Sequence, residues 1–162
     1  MGKILFVDPE LCTGCRTCEL FCAVSHTGST NPLRSRIRIV KFFNDMVNIP
    51  MVCRHCEDAP CAKACPKGAI YRDEELSRVM IDYSLCIGCK TCMQVCPFGA
   101  ISFDPEEKKV FKCDLCGGDP LCVAVCDTKA IDFIDEKEAS LRTKLYEAEH
   151  IKESIEKGHT AG

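Results

Sequence analysis

Sixteen cysteines dominate the chemistry available to this 162-residue chain. They form four groups of four. The first and third motifs share the spacing C-x2-C-x2-C-x3-C and comprise Cys12, Cys15, Cys18, Cys22 and Cys86, Cys89, Cys92, Cys96. The second and fourth motifs are looser and comprise Cys53, Cys56, Cys61, Cys65 and Cys113, Cys116, Cys122, Cys126. Four complete quartets, with no cysteine left over, match the ligands that four cubane [4Fe–4S] clusters need.

The flanks of the motifs repeat as well. Residues 7–12 and 81–86 lead into the first and third motifs with similar sequences, and Cys65–Ile70 and Cys96–Ile101 share the pattern Cys-Pro-x-Gly-Ala-Ile. Two positions depart from that pattern, because Ala23 and Asp127 stand where the other motifs have proline. The chain is therefore predicted to be an internal repeat of cluster-binding motifs.

The tight spacing suits a small inorganic cube. Three ligands come from one loop, where Gly14 and Gly88 let the backbone turn without a Cβ penalty. Backbone amides of such a loop can stabilise negative charge. The fourth cysteine is expected to start a short helix and to reach the neighbouring cluster. A proline after it suits a first helical position. The run from Cys86 to Pro97 matches the bacterial ferredoxin pattern in full.

Three other uses of these residues fit less well. A disulfide framework suits secreted chains, but the apolar run Ile4–Val7 is too short for a signal peptide, so a reducing cytoplasm is expected. Four-cysteine zinc sites usually separate their two C-x2-C pairs by a longer stretch. A Rieske centre replaces two cysteines by histidines, yet no quartet lacks a cysteine. His26 and His55 are expected to lie at the surface or behind the ligands.

Charge and hydropathy exclude further classes. The formal charge is −3, and four oxidised clusters with their thiolates would bring it to about −11. Nucleic acid is therefore not an expected partner, because phosphate binding needs a basic surface. Membrane insertion is not expected either, since no apolar run approaches the roughly 20 residues of a span. With no acid–base pair or substrate pocket to argue for, no catalytic residue is predicted, and the chain is expected not to be an enzyme.

From Phe6 to about Phe133 the chain resembles the four-cluster ferredoxin-like electron-transfer subunits. These include small subunits of molybdenum and tungsten oxidoreductases, of the dimethyl sulfoxide reductase type, and polyferredoxins of carbon monoxide dehydrogenase and membrane hydrogenases. The resemblance implies crossed ligand sets, in which the fourth cysteine comes from the paired motif. The implied sets are Cys53, Cys56, Cys61 with Cys96; Cys86, Cys89, Cys92 with Cys65; Cys12, Cys15, Cys18 with Cys126; and Cys113, Cys116, Cys122 with Cys22.

Three stretches, Cys12–Glu19, Asn31–Arg38 and Cys53–Cys61, look most like small subunits of tungsten aldehyde oxidoreductases and benzoyl-coenzyme A reductases. This resemblance implies a cytoplasmic relay subunit of anaerobic metabolism. It would move single electrons between a large catalytic oxidoreductase subunit and a further redox partner. A free soluble polyferredoxin, or the electron carrier of carbon monoxide dehydrogenase or hydrogenase, is the alternative. A cluster-sensing regulator would need an output module, and none is visible.

The predicted fold is α+β, with two bacterial-ferredoxin-like bicluster modules of short strands and short helices and a C-terminal helix. Alternating and apolar runs predict strands at Lys3–Val7, Arg36–Phe43, Val47–Pro50, Val79–Asp82 and Lys109–Lys112. A hairpin turn is expected at Asn44-Asp45. The basic residues of this region either dock an acidic partner or form a solvated strand face; they are Arg34, Arg36, Arg38 and Lys41.

Four segments are expected. Residues 1–49 hold the first motif and pack with residues 105–134, which hold the fourth motif, while residues 50–104 form the central bicluster module. Residues 135–162 carry an amphipathic helix and a tail. The apolar stripe of this helix consists of Leu141, Leu145, Ala148, Ile151 and Ile155. It is expected to pack on the chain's own core, on another subunit or on a second copy.

Overall fold

The computed structural model describes residues 2–159 of the chain, with side chains through residue 156. The described residues form eight short strands and five helices. The strands are β1 (Lys3–Val7), β2 (Ile37–Phe42), β3 (Val47–Val52), β4 (Ile70–Asp73), β5 (Arg78–Ile81), β6 (Ser102–Asp104), β7 (Lys109–Phe111) and β8 (Ile131–Asp135). The helices are α1 (Thr17–Thr27), α2 (Pro60–Lys63), α3 (Thr91–Val95), α4 (Leu121–Ala124) and α5 (Glu136–His159). This is the predicted α+β class, and the C-terminal helix is confirmed.

The strands make four separate two-stranded antiparallel sheets. Three of them are local hairpins, β2–β3, β4–β5 and β6–β7. The fourth joins the two ends of the cluster-motif region, because β1 pairs with β8 in the register Leu5 opposite Phe133. The predicted turn at Asn44-Asp45 lies within the β2–β3 connection, where Phe42 faces Val47.

Two buried cores lie under these sheets. One contains residues from both ends of the chain, including Leu5, Ile37, Leu115 and Ile131. The other is formed by residues 59–110, with Val79 and Val110 at its centre. The first core draws on segments more than a hundred residues apart, whereas the second is built from a continuous stretch. The expected division into four segments at residues 49, 104 and 134 stays a prediction.

In the first and third motifs, the residue after the fourth cysteine affects where the helix ends. Helix α3 ends before Cys96, whose ψ of 113° is extended, because Pro97 disfavours helical backbone at the residue before it. Ala23 imposes no such limit, so α1 continues past Cys22 to Thr27 and ends at Gly28, whose N–H donates to Val24 O at 2.8 Å. The expectation that the fourth cysteine starts a helix was wrong. In the first motif that cysteine lies inside a helix, and in the third it directly follows one.

The basic side chains Arg34 and Arg36 are used inside the molecule. Arg34 Nε donates to Asp104 at 2.6 Å, and its other nitrogens contact Glu106 and Glu107 at 3.3 and 2.9 Å. Arg36 forms an ion pair with Asp114. Both residues therefore tie the segment before β2 to distant parts of the chain. Because both side chains are already paired, they do not offer free charges to an acidic partner. For Arg34 and Arg36, the interpretation as a docking site for such a partner was wrong.

Helix α5 is anchored mainly near its start, and further along His150 Nε2 contacts Glu10 at 3.7 Å. Ala139 is 4% exposed, and Arg142 donates to Asp132 at 3.0 Å and to Glu138 at 2.7 Å. The apolar stripe further along is open, since Leu145 and Ile151 are 56% and 60% exposed. Within the described residues, no helix is both long enough and apolar enough to span a membrane.

Candidate metal centres

One small cavity lies between the second and third motifs and is lined by four cysteines, Cys53, Cys56, Cys61 and Cys96. Its apolar walls include Val79 and Ile101. Three of the thiols come from the loop and helix α2, and the fourth comes from the end of α3. The structure thus brings a cysteine of the third motif to the cysteines of the second.

A second cavity has the reciprocal composition. Cys86, Cys89 and Cys92 come from the third motif and Cys65 from the second. Ala69 N–H donates to Cys65 Sγ at 3.3 Å, and the Thr91 hydroxyl donates to Cys89 Sγ at 3.4 Å. The two cavities are therefore related by an exchange of one cysteine each.

A third cavity is formed by Cys113, Cys116 and Cys122 with Cys22 of the first motif. Leu115 N–H donates to Cys113 Sγ at 3.4 Å, and Arg36 N–H donates to Cys22 Sγ at 3.3 Å. Each of the three cavities is lined by four thiols, which indicates that each suits the same kind of small group.

The remaining cysteines are Cys12, Cys15, Cys18 and Cys126. Cys12 and Cys126 both pack against the core that contains Cys18. Burial raises the pKa of Cys18 to about 12, with further contributions from the nearby charges of Cys15 and Cys12. These four are not among the cysteines that line the three cavities described above.

The loops of the first and third motifs have the same backbone. Gly14 and Gly88 have φ of 70° and 68°, and the residues before the helices, Arg16 and Lys90, have φ of 65° and 64°. The left-handed glycines confirm the turn expected from their lack of a side chain. At matched positions, hydrogen bonds from Thr17 and Thr91 lower the pKa of Cys15 and Cys89, the two exposed cysteines.

Thiols of different sets are close enough to influence one another electrostatically. Burial raises the pKa of Cys92, and the charge of Cys61 in another set raises it further. The charge of Cys53 likewise raises the pKa of Cys113, and the charge of Cys18 raises that of Cys122, although burial has the larger effect on both. These pairs indicate the neighbour order third-motif set, second-motif set, fourth-motif set and first-motif set, which we call the row.

The donor sets fit iron–sulfur clusters. None of the sixteen cysteines, all of which the structure describes, is in a disulfide. Burial raises the pKa of Cys113 to about 12. Such thiols lose their protons when a metal takes the thiolate. Four-thiolate cavities with backbone N–H donors to sulfur are the surroundings that cubane clusters use. Cys53, Cys56, Cys61 and Cys96 would hold one cluster, and the two other cavities would hold one each.

His55 supports the same conclusion. Its side chain is 8% exposed, and Nδ1 accepts the Val79 N–H at 3.0 Å, so the proton of the neutral ring is on Nε2. Burial, together with the charges of Lys112 and Arg78, lowers the pKa of His55 to about 3. The buried Nε2–H has no acceptor in the described protein. A buried donor without a partner costs free energy, and an added anionic group would satisfy it.

His26 and Asp114 flank the third cavity. His26 Nε2 lies 3.2 Å from Asp114 Oδ1, and its Nδ1 contacts Cys22 O at 2.9 Å. Hydrogen bonds to Asp114, Cys116 and Cys22 raise the pKa of His26 to about 12. Ligand atoms of His26, Asp114 and Cys116 lie within 4.8 Å of one another. We do not assign a separate metal site there, because Cys116 belongs to the cavity quartet and Asp114 also pairs with Arg36.

Sequence reasoning missed several residues of these sites. Three of these residues lie beside the ligands in sequence but are not cysteines, so the cysteine spacing did not indicate them. They are Asp114, Lys112 and Glu19. Glu19 is 1% exposed and accepts the Ile39 N–H at 2.5 Å. The threonines before the third cysteine, Thr17 and Thr91, could have been found, because they repeat at the same place in two motifs.

Comparison with known proteins agrees with this geometry. The 4Fe-4S dicluster domain family matches residues 44–136, and a 4Fe-4S binding domain matches residues 9–25. The first match covers more than half of the chain. The fold and the cysteine sites define an iron–sulfur protein of the electron-transport class. The chain belongs to the 4Fe-4S dicluster domain family.

Curated relatives carry related names. The chain is 45% identical over 108 residues to the electron transport protein HydN of Escherichia coli K12, covering 62% of this chain and 59% of HydN. It is 43% identical over 103 residues to formate hydrogenlyase subunit 2 of the same strain, covering 64% of this chain and 49% of that subunit. An iron–sulfur protein of Rhodospirillum rubrum is 43% identical over 64% of this chain and 57% of its own length. The chain thus spans about half to three fifths of these relatives.

Among solved structures, the BamBC active-site complex of benzoyl coenzyme A reductase aligns with a TM-score of 0.49 and 24% identity. The alignment covers 95% of this chain and 96% of the other.

Proposed function

We propose that this protein is a non-catalytic electron-relay subunit that holds four [4Fe–4S] clusters through its sixteen cysteines. The observation that carries the proposal is the crossed arrangement of thiols, in which three cavities each contain three cysteines of one motif and one of its pair. The fourth cluster would be held by Cys12, Cys15, Cys18 and Cys126. Bound clusters would supply one-electron redox chemistry.

The residues of the chain position these groups and separate them from water. Two of the sets lie at the ends of the row and contain the exposed cysteines, Cys15 and Cys89. The two central sets contain buried Cys61 and Cys113. This arrangement supports a path in which electrons enter at one end, pass through the centre and leave at the other. No bond is made or broken, so no acid or base is required.

For the partners, we propose a large catalytic oxidoreductase subunit and a further redox protein. Cys12–Glu19 and Cys53–Cys61 favour a tungsten or molybdenum enzyme of the aldehyde oxidoreductase type. The names of the relatives favour a second candidate, a hydrogenlyase-type complex. A free polyferredoxin is the alternative without a permanent partner. A cytoplasmic location follows from the need to keep sixteen thiols reduced.

The test is the metal content of anaerobically reconstituted protein. Four complete quartets should hold about sixteen iron and sixteen sulfide per chain, measured by colorimetric analysis with EPR of the reduced protein. Bound zinc, or half that amount of iron, would refute the assignment. Affinity purification of the native complex, with mass spectrometry of the co-eluting subunits, distinguishes the candidate partners. A chain that elutes alone supports the free carrier.

A further inference from the structure

The residue just before the first cysteine separates the fourth motif from the other three. Leu11, Val52 and Leu85 fill this position in the first three motifs, whereas Lys112 fills it in the fourth. A lysine in a place otherwise given to apolar side chains is expected to extend into water. Here it does not.

Lys112 is buried, with 4% of its surface exposed. Its Nζ donates to Cys113 O at 2.8 Å, which uses one of the three ammonium N–H donors. Across residues 2–156, no carboxylate lies within 4.0 Å of Lys112 Nζ. A buried ammonium without a counter-charge is strongly unfavourable, so the site lacks a negative partner.

Two nearby cations, unlike Lys112, have carboxylate partners. Arg78 is paired with Asp73 at 2.8 Å, and Arg36 is paired with Asp114. Their charges are largely compensated by these carboxylates. Lys112 therefore contributes the uncompensated positive charge in this part of the interior.

Lys112 lies close to both central thiol sets. It directly precedes Cys113, which lines one of the cavities. Burial raises the pKa of Cys61, in the other cavity, and the charge of Lys112 acts against that rise. It acts in the same way on Cys113. The ammonium is thus close enough to influence both sets electrostatically.

We propose that the ammonium of Lys112 is the counter-charge for the anionic iron–sulfur groups of both central sites and raises their two reduction potentials. This inference rests on the proposed cluster assignment. A thiolate-ligated cluster is anionic and gains one more negative charge on reduction. A fixed positive charge in the low-dielectric interior therefore stabilises the reduced form more than the oxidised form.

The test compares Lys112→Met with Lys112→Arg in reconstituted full-length protein, using anaerobic redox titrations followed by EPR. Lys112→Met removes the charge at similar length. We expect two of the four midpoint potentials to fall, each by about tenfold in the equilibrium constant, or about 59 mV, while iron content stays at the wild-type level. Lys112→Arg should keep the wild-type potentials.

Lys109→Met is the matched control. Lys109 lies three residues before Lys112, at the start of β7, and is exposed. Removing its charge should leave all four potentials unchanged, because water and salt screen it.

Several outcomes separate the possibilities. Loss of iron from Lys112→Met alone, with Lys112→Arg fully loaded, also supports a required counter-charge. Unchanged potentials in Lys112→Met, an equal fall at all four sites, or loss of iron from both variants would overturn it. A wild-type protein that binds fewer than four clusters would instead contradict the proposed function, before any variant is compared.

Discussion

At the scale of single residues, the exchange of cysteines between motifs is the most informative feature. Cys65 lines the cavity of the third motif and Cys96 lines that of the second. The fourth cysteine of each of these motifs therefore lines the cavity of the paired motif, and not the cavity lined by the three cysteines before it in sequence. The same holds for Cys22, which lines the cavity of the fourth motif.

Replacing Cys65 by Ala should accordingly disturb the cluster held by Cys86, Cys89 and Cys92 and leave the one held by Cys53, Cys56 and Cys61 intact. EPR and iron analysis of the reconstituted variant would measure this. Cys96→Ala is the reciprocal control and should affect the second-motif site. If Cys65→Ala destroyed the site of its own motif instead, the crossed arrangement would be refuted.

Gly14 gives a second prediction at this scale. A Cβ at Gly14 would lie 2.4 Å from Asn48 Oδ1, and Asn48 Nδ2 donates to Cys12 O at 3.3 Å. Gly14→Ala should therefore displace the loop that carries Cys12 and Cys15, in addition to the backbone cost of about 1 kcal/mol at positive φ. We expect a lower thermal unfolding temperature and a changed EPR signal.

Gly28→Ala is the control, because Gly28 has φ of 65° but no heavy atom near the added Cβ. It should show the backbone cost alone and keep the EPR spectrum. Equal effects of both substitutions would mean that the contact with Asn48 does not matter.

At the scale of elements, the sequence predicted five of the eight described strands. β1 has its predicted bounds, Lys3–Val7, and β2, β3, β5 and β7 lie within two residues of theirs. The strands β4, β6 and β8 were missed. They follow the second, third and fourth cysteine motifs directly, and these stretches were interpreted as the repeated flanks of the motifs. Their strand character depends on pairing with a partner, which sequence alone does not display.

Helix α5 was predicted from its apolar stripe, and its environment gives the next prediction. Leu145 and Ile151 are more than half exposed, and such a stripe is stabilised by a covering surface. We expect the stripe to dock onto another subunit or a second copy. Leu145→Glu with Ile151→Glu should weaken assembly or self-association and leave iron content unchanged, because all sixteen cysteines precede the helix.

Size-exclusion chromatography of the variant with the co-purified partner measures assembly. Lys144→Glu is a control that adds negative charge to the helix without removing an apolar side chain. If the double variant assembles like wild type, the helix is not the docking element. A truncation after Asp135 should reproduce the double variant, although it also removes the contact of Arg142 with Asp132.

At the scale of the whole molecule, the cysteine spacing predicted more of the site than of its surroundings. Thiolate motifs repeat and carry their chemistry in the residue type, so four quartets could be identified directly. The role of Arg34 could not, because its carboxylate partners lie about seventy residues further along. The burial of Lys112 could not be predicted either, because it depends on how separate parts of the chain pack together.

The pairing of β1 with β8 has a consequence for biogenesis. During synthesis, the stretch from the second to the third motif emerges as a continuous unit and can collapse on its own, because its contacts are local. The N-terminal strand has no partner until Ile131–Asp135 has left the ribosome. Strand β1 is thus translated before all four motifs but is paired only after all of them. Iron delivery to the nascent chain would then begin with the second and third motifs and finish with the first and fourth.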